Sequence, residues 1–357
     1  SVILCLLFLL FPQIISYMAF GFGTEQKVEL SNAFFWLIPA ILFFLPLSFS
    51  GSILRASRKF IIFYIIEILA SIIVLFCIYF FLDDLNVLYW SYSLSIIIPF
   101  LVVYFFINKS IKFWLKNPLN KQILYLLPAI PSLFLLHGSN YLFIFTDRFF
   151  VSFLDTGDMS ALAYATTLIL IIPSIVGVPY YFLTLYSDEE NNSHKTRKVN
   201  DMMSLIIFFS VPAIIFFIYA SDNFISILFE RGEFTKRDTL RVFSILQILS
   251  IMVLPLLLQR AIDQIFQVEK KLMIIVKRTV LGLILNIILN YIAVFYLNLG
   301  VIGVALATST SNIIILIFSL INLNKLKIII YWKRHLKWTS WILLCNSPII
   351  LFYIFEL

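Results

Sequence analysis

Four oxygen-bearing side chains, scattered through an otherwise apolar sequence, make up the ligand set of one hard cation. Asn286 and Asn290 are four residues apart, so on a helix both amides point the same way. Thr308, Ser309 and Thr310 interrupt the next apolar run, and Asp147 closes an earlier one. A carboxylate with amide and hydroxyl oxygens suits Na⁺, and an ionisable group among apolar segments is a functional signal. The same amides and hydroxyls can instead tie helices together by interhelical hydrogen bonds. Glu67, about two turns into an apolar run, and His137, with Asn140 three residues on, have the chemistry of a proton relay. Groups of this kind are equally well satisfied inside a helical bundle.

Other chemistry is thin. Cys5, Cys77 and Cys345 all lie inside apolar runs, which argues against a disulfide framework or a thiolate metal site. The longest polar stretch, Ser187–Asp201, has no metal-ligand spacing, and His194 stands alone in it. No Gly-rich loop followed by Lys-Ser or Lys-Thr is present to cradle a nucleotide phosphate. A built-in ATPase is therefore not expected.

The elements that position these groups must sit in lipid. Of 357 residues, 62% are hydrophobic and 13% charged, too much apolar surface for a fold whose outside faces water. Apolar runs fall at 2–22, 33–54, 60–82, 87–107, 122–146, 160–186, 202–220, 239–259, 279–297, 301–323 and 338–356. Most approach or exceed the ~20 residues that span a bilayer as a helix, and all are too long for barrel strands. The expected fold is therefore an all-α polytopic membrane protein of about eleven transmembrane helices.

The formal charge of +7 belongs to topology and not to nucleic acid. Alternate connections, at 55–59, 108–121, 187–201, 260–278 and 324–337, hold twenty of the 26 Lys and Arg residues. That bias puts them on the cytoplasmic side of the membrane.

Two stretches run in parallel. Pro12 sits mid-helix, a polar outer loop follows, and the next helix carries Pro46 and ends in Arg55, Arg58 and Lys59. Pro212, the loop Phe229–Phe234, Pro255, Arg260 and Lys270-Lys271 repeat that order, at offsets of 200 and 209 for the proline pairs. Both copies start from the same side, so the repeat is parallel, about an axis along the membrane normal. In the second copy two spans, 122–146 and 160–186, precede the Pro212 helix, and in the first none precedes the Pro12 helix. The expectation is two pseudo-symmetric lobes, the first lacking two helices: 1–121, 122–323, and a C-terminal helix in 324–357.

At residues 147–157 the sequence reads Asp-Arg-Phe-Phe-Val-Ser-Phe-Leu-Asp-Thr-Gly, continuing through Ser160-Ala161-Leu162-Ala163-Tyr164-Ala165 to Ile172-Pro173-Ser174-Ile175-Val176-Gly177. Phe229-Glu230-Arg231-Gly232-Glu233-Phe234 precedes a helix, Leu54-Arg55-Ala56 precedes Arg58-Lys59-Phe60, and Gly300-Val301-Ile302-Gly303 opens another run. In order and spacing these motifs resemble the lipid II flippases (the MurJ/MviN family) of the multidrug/oligosaccharidyl-lipid/polysaccharide exporter superfamily. The resemblance implies fourteen helices, of which this chain matches the third to the thirteenth. It also implies alternating access and an undecaprenyl-linked glycan lipid as partner, with other membrane lipids and cell-wall synthesis proteins nearby. Coupling to Na⁺ or H⁺ is expected, since some members carry a cation site between the corresponding helices.

A headgroup with a pyrophosphate and sugars needs a hydrated cavity with cations to cross hydrocarbon. Arg148, Arg260 and its repeat counterpart Arg55 are the candidates. The alternatives are an Arg148 that snorkels to the headgroups and an Arg260 that only pairs with Asp263 and follows the positive-inside bias. Family members usually carry a cavity arginine shortly after the Tyr-Ala pair; here Thr167 stands in that place. That departure leaves room for an exporter of other glycans or drugs, and for an inactive membrane scaffold.

Overall fold

A computed structural model of the chain describes residues 23–56, 60–81, 86–116, 130–175, 191–326 and 328–355. The expected span at 2–22, with Pro12 and Cys5, lies outside the described residues, as do Pro128 and Pro179. The side chains of Arg55, His137 and Asn140 are likewise outside them. The protein is an all-helical, polytopic membrane protein. It divides into two compact units, Ser1–Leu127 and Pro128–Leu357.

In the first unit α1 (Thr24–Ala56), α2 (Phe60–Phe80) and α3 (Asn86–Lys116) pack with α3 against both others. Pro39 and Pro46 lie within α1. Each removes an intrahelical donor, and near the first of them the Trp36 carbonyl accepts Ser93 Oγ of α3 at 2.5 Å. Leu54, Ile66 and Val103 form the buried contact of the three helices. Glu67 is exposed and lines a cavity of about 250 Å³ with Ser48, Gly51 and Pro99.

The second unit comprises α4 (Ile130–Val151), α5 (Thr156–Ile175), α6 (Asn192–Tyr219), α7 (Ser221–Phe229), α8 (Lys236–Ser250), α9 (Val253–Val268), α10 (Leu272–Tyr291), α11 (Gly300–Asn324) and α12 (Trp332–Phe355). Its core joins Ala165 and Ile169 of α5, Ile245 and Leu246 of α8, and Ile262, Ile265 and Phe266 of α9. α12 packs on α6, where Ile342 meets Ile207, Val211 and Ile215. Outward faces carry Ile284, Ile287, Ile313, Ile317 and Ile321. Exposed apolar side chains around buried polar ones are the arrangement a lipid solvent selects.

Among the described residues five helices are long and apolar enough to cross a membrane, and six if α8 and α9, bent by 47° at their break, form one span. The bend has a chemical cause: Pro255 cannot donate to the carbonyl of Ile251, four residues back in that break. α1, the helix of Pro46 in the proposed repeat, runs unbroken over a stretch of the same length as α8 plus α9.

The basic connections are shorter than the sequence reading drew them. α3 continues to Lys116, α6 begins at Asn192 and only residues 269–271 separate α9 from α10. Apolar periodicity ends where lipid ends, but backbone hydrogen bonding does not. Asn191 extends α6 toward water by accepting Ser193 N–H at 3.0 Å.

Candidate functional site

One face of α10 organises the second unit. Arg278, Gly282, Asn286 and Asn290 recur every four residues and all are buried, while Ile284, Ile287, Ile288 and Tyr291 on its other sides are exposed. Four-residue spacing makes this a single stripe, ~18 Å long at ~1.5 Å per residue. Gly282 is its narrow point. A Cβ there would stand 2.9 Å from both Phe143 Cζ of α4 and Ile315 Cγ2 of α11. The missing side chain lets α4, α10 and α11 close on one another a single turn below Asn286.

That approach builds the cluster whose parts the sequence offered separately. Asp147, 8% exposed, projects from α4. Its Oδ1 accepts Asn286 Nδ2 at 3.1 Å and Asn290 Nδ2 at 2.9 Å, and its Oδ2 accepts Thr308 Oγ1 of α11 at 2.8 Å. Asn286 Nδ2 also reaches Thr308 Oγ1 at 3.2 Å. Asn286 Oδ1 and Asn290 Oδ1 are buried without a hydrogen-bond partner. Two orphaned amide oxygens beside a buried carboxylate are donors without a Lewis acid. Turning either amide over would aim its oxygen at the carboxylate, which a cation between them or a proton on the carboxyl makes favourable. The residues fit a Na⁺-type site of one carboxylate, two amides and a hydroxyl. Ser309 lies apart from it: its Oγ donates to the Ile248 carbonyl at 3.0 Å and ties α11 to α8.

Further along α10, Arg278 grips Asp263 of α9 through both guanidinium nitrogens, Nη2 to Oδ2 at 2.9 Å. Asp263 is thus held by Arg278, a partner that sequence reasoning passed over because Arg278 lay in what was read as a loop. A cavity of about 130 Å³ joins the two clusters, with Asp147 and Thr308 on its wall together with Gln259, Arg260, Asp263 and Arg278. Gln259 Nε2 donates across it to the Asn312 carbonyl at 2.8 Å. Arg278, Gln259 and Asn312 are the site residues that the sequence reading missed. The four-residue repeat leading back from Asn290 was the signal for the first.

Of the second unit's cation candidates for a substrate, Arg260 lines this cavity and Arg148 does not. Arg148 is exposed in the last turn of α4, where a positive charge complements the helix C-terminus. Arg260 is half-buried on the wall of the internal cavity. Thr167 is exposed on α5, its Oγ1 donating to Ala163 O at 2.8 Å; its neighbour Thr166 is the one that lines the cavity. Arg55 belongs to the other unit, near the end of α1.

The signature motifs are largely structural. Tyr164 meets the rings of Phe229 and Phe234 at 4.8 and 5.3 Å, pinning the 229–234 turn to α5. Glu230 accepts Thr239 Oγ1 at 3.0 Å, Asp158 faces Arg241 at 3.5 Å, and Gly232 takes the left-handed φ of 61° that the turn requires.

At the start of α12, His335 is buried against α6. Its Nε2 bonds Asn200 Oδ1 at 3.0 Å, which also accepts Tyr331 N–H at 2.7 Å. Burial first, and then the adjacent Arg334, hold the imidazole below its ordinary value of 6.5, against a smaller opposing pull from Asp201.

Comparison with known proteins converges. The family model described as Lipid II flippase MurJ matches residues 1–355. A probable lipid II flippase MurJ of Rickettsia prowazekii is 27% identical over 327 residues, covering 86% of this chain and 62% of the relative. The lipid II flippase MurJ of Thermosipho africanus is 30% identical over 196 residues, 54% of this chain and 38% of the relative. The chain thus spans less than two thirds of the length of these relatives. A solved lipid II flippase MurJ in an inward closed conformation superposes with a TM-score of 0.83 over 100% of this chain and 75% of that one, at 23% identity. An outward-facing multidrug resistance transporter of the MATE family gives 0.57 at 16% identity, over 85% of this chain and 70% of that one. Both likenesses establish the fold.

Proposed function

We propose a function from one premise: the chain belongs to the Lipid II flippase MurJ family. The protein moves lipid II across the bacterial inner membrane for peptidoglycan synthesis, by alternating access and without covalent chemistry. The observation that carries this reading is the family match along nearly the whole chain. The fold likeness to a solved flippase supports it.

The chemical task is to carry a pyrophosphate and sugars through hydrocarbon without stripping them of polar partners. Arg148, Arg260 and Arg55 are the cations available to meet that headgroup, and Thr167 replaces an expected fourth. Asp147, Asn286, Asn290 and Thr308 would hold a Na⁺ ion, through which transport would couple to the membrane gradient. When bound, that ion supplies a positive charge that compensates Asp147. Asp147 on α4, Asn286 and Asn290 on α10 and Thr308 on α11 already join three helices at one centre.

Depletion of the gene in growing cells tests the function. Lipid II is expected to accumulate on the inner leaflet and to vanish from the outer one, measured by its accessibility to an external lipid II-cleaving enzyme. An unchanged distribution between leaflets would refute the reading.

A further inference from the structure

The Asp147 cluster lies between a group of aromatic rings and a polar cavity. The rings stand beyond Asp147 and Asn290, toward the α10–α11 connection. Phe295, in the π-helical turn Ile292–Tyr296, lies 6.0 Å from Phe150, 5.3 Å from Phe153 and 5.4 Å from Tyr291. In the other direction lies the 130 Å³ cavity that ends at Asp263 and Arg278. A volume of that size holds about four waters at ~30 Å³ each. Two buried polar atoms on its wall lack partners: Nε of Arg278, a residue 5% exposed, and Oγ1 of Thr279, 2% exposed. Buried donors and hydroxyls without protein partners are satisfied by water.

We propose that this cavity is a hydrated passage through the second unit, by which a small monovalent cation reaches the Asp147 cluster from the Lys270–Lys271 end, with the Asp263–Arg278 pair as its gate. The inference rests on the cation reading of the Asp147 cluster. Closed, the pair presents a guanidinium to an incoming cation and neutralises the one other carboxylate on the cavity wall. Opened, it leaves Asp263 as a second carboxylate along the route. Gln259, Asn312 and Thr308 supply oxygens between the two, so no step crosses bare hydrocarbon. Gly282, with Phe143 and Ile315 against it, narrows the route between its ends.

Cysteine accessibility tests the passage. In a background with Cys5, Cys77 and Cys345 changed to serine, Thr279→Cys, Asn312→Cys and the lipid-facing control Ile287→Cys are made in the full gene product. Each is exposed in membrane vesicles to an impermeant, positively charged thiol reagent. Thr279→Cys and Asn312→Cys are expected to react at least ten times faster than the control in inverted vesicles, but not in right-side-out ones. Sodium chloride in place of choline chloride is expected to slow the Asn312→Cys reaction. Rates no faster than the control, or faster only from the outer side, overturn the passage.

Equilibrium binding of radiolabelled sodium separates the two claims. Asp147→Asn is expected to abolish it. Arg278→Gln is expected to retain it while changing the sodium release rate at least fivefold. Binding retained by Asp147→Asn overturns the cation reading and the passage with it. Binding lost by Asp147→Asn but release unchanged by Arg278→Gln overturns the gate alone.

Discussion

The ring of Phe143 stands where the side chain of Gly282 would be: a Cβ on that glycine would lie 2.9 Å from Phe143 Cζ. This contact sets how closely α4 approaches α10, and hence whether Asp147 reaches Asn286 and Asn290. Gly282→Val is therefore expected to destabilise the protein by about 1–3 kcal/mol through overpacking, and to lose sodium-dependent stabilisation with it. Gly282→Ala is expected to be milder, because better helix propensity offsets part of the clash. Thermal melts in sodium chloride and choline chloride measure both.

Removing the hydroxyl at Thr308 takes away the only hydrogen-bond donor on Asp147 Oδ2 among the described residues. Thr308→Val is expected to cost about 1–3 kcal/mol, as for a buried acceptor left unsatisfied, and to weaken sodium binding more than tenfold. Isothermal binding of sodium reads the second effect. An unchanged affinity would remove Thr308 from the ligand set.

The Asp263–Arg278 pair is buried on both sides, with side chains 13% and 6% exposed. Breaking it from one side strands a charge, so Asp263→Asn and Arg278→Gln are each expected to destabilise by about 3–5 kcal/mol. The double substitution is expected to recover most of that loss. Additive single effects in a double-mutant cycle would contradict the pairing.

His335 makes the α6–α12 junction sensitive to acid. Its folded-state value is lowered, so the unfolded chain binds the proton more readily. The junction's contribution is complete above 6.5 and declines as pH falls through that value toward the lower folded one. His335→Gln keeps a donor for Asn200 and cannot titrate. It is expected to flatten the fall in melting temperature as the pH drops below 6.5.

Thr167 is exposed and its hydroxyl only back-bonds to its own helix. Thr167→Arg should change stability by less than about 0.5 kcal/mol. With the family's arginine restored, the rate of lipid II appearance at the outer leaflet is expected to rise. A fall would show that this chain uses the position differently.

Much of the architecture was legible without coordinates. The solvent, the helical class, the positive-inside bias and the family follow from composition, run length and motif order, which are local properties. Asp147, Asn286, Asn290 and Thr308 stood out because polar oxygens are rare in such runs. Their meeting did not follow from the sequence, because Asp147 and Thr308 are 161 residues apart and only helix packing joins them. Arg278 was hidden because its neighbours are polar and the helix outlasts the lipid. Thr167 was placed by motif alone, and a motif does not say which face of α5 a residue occupies.

The sequence by itself determined what each helix can tolerate on its surface, since transfer into lipid is a residue-by-residue free energy. Only the tertiary structure decided which polar groups share a site. That choice depends on interhelical distances set by one missing side chain at Gly282, and no single helix contains that information.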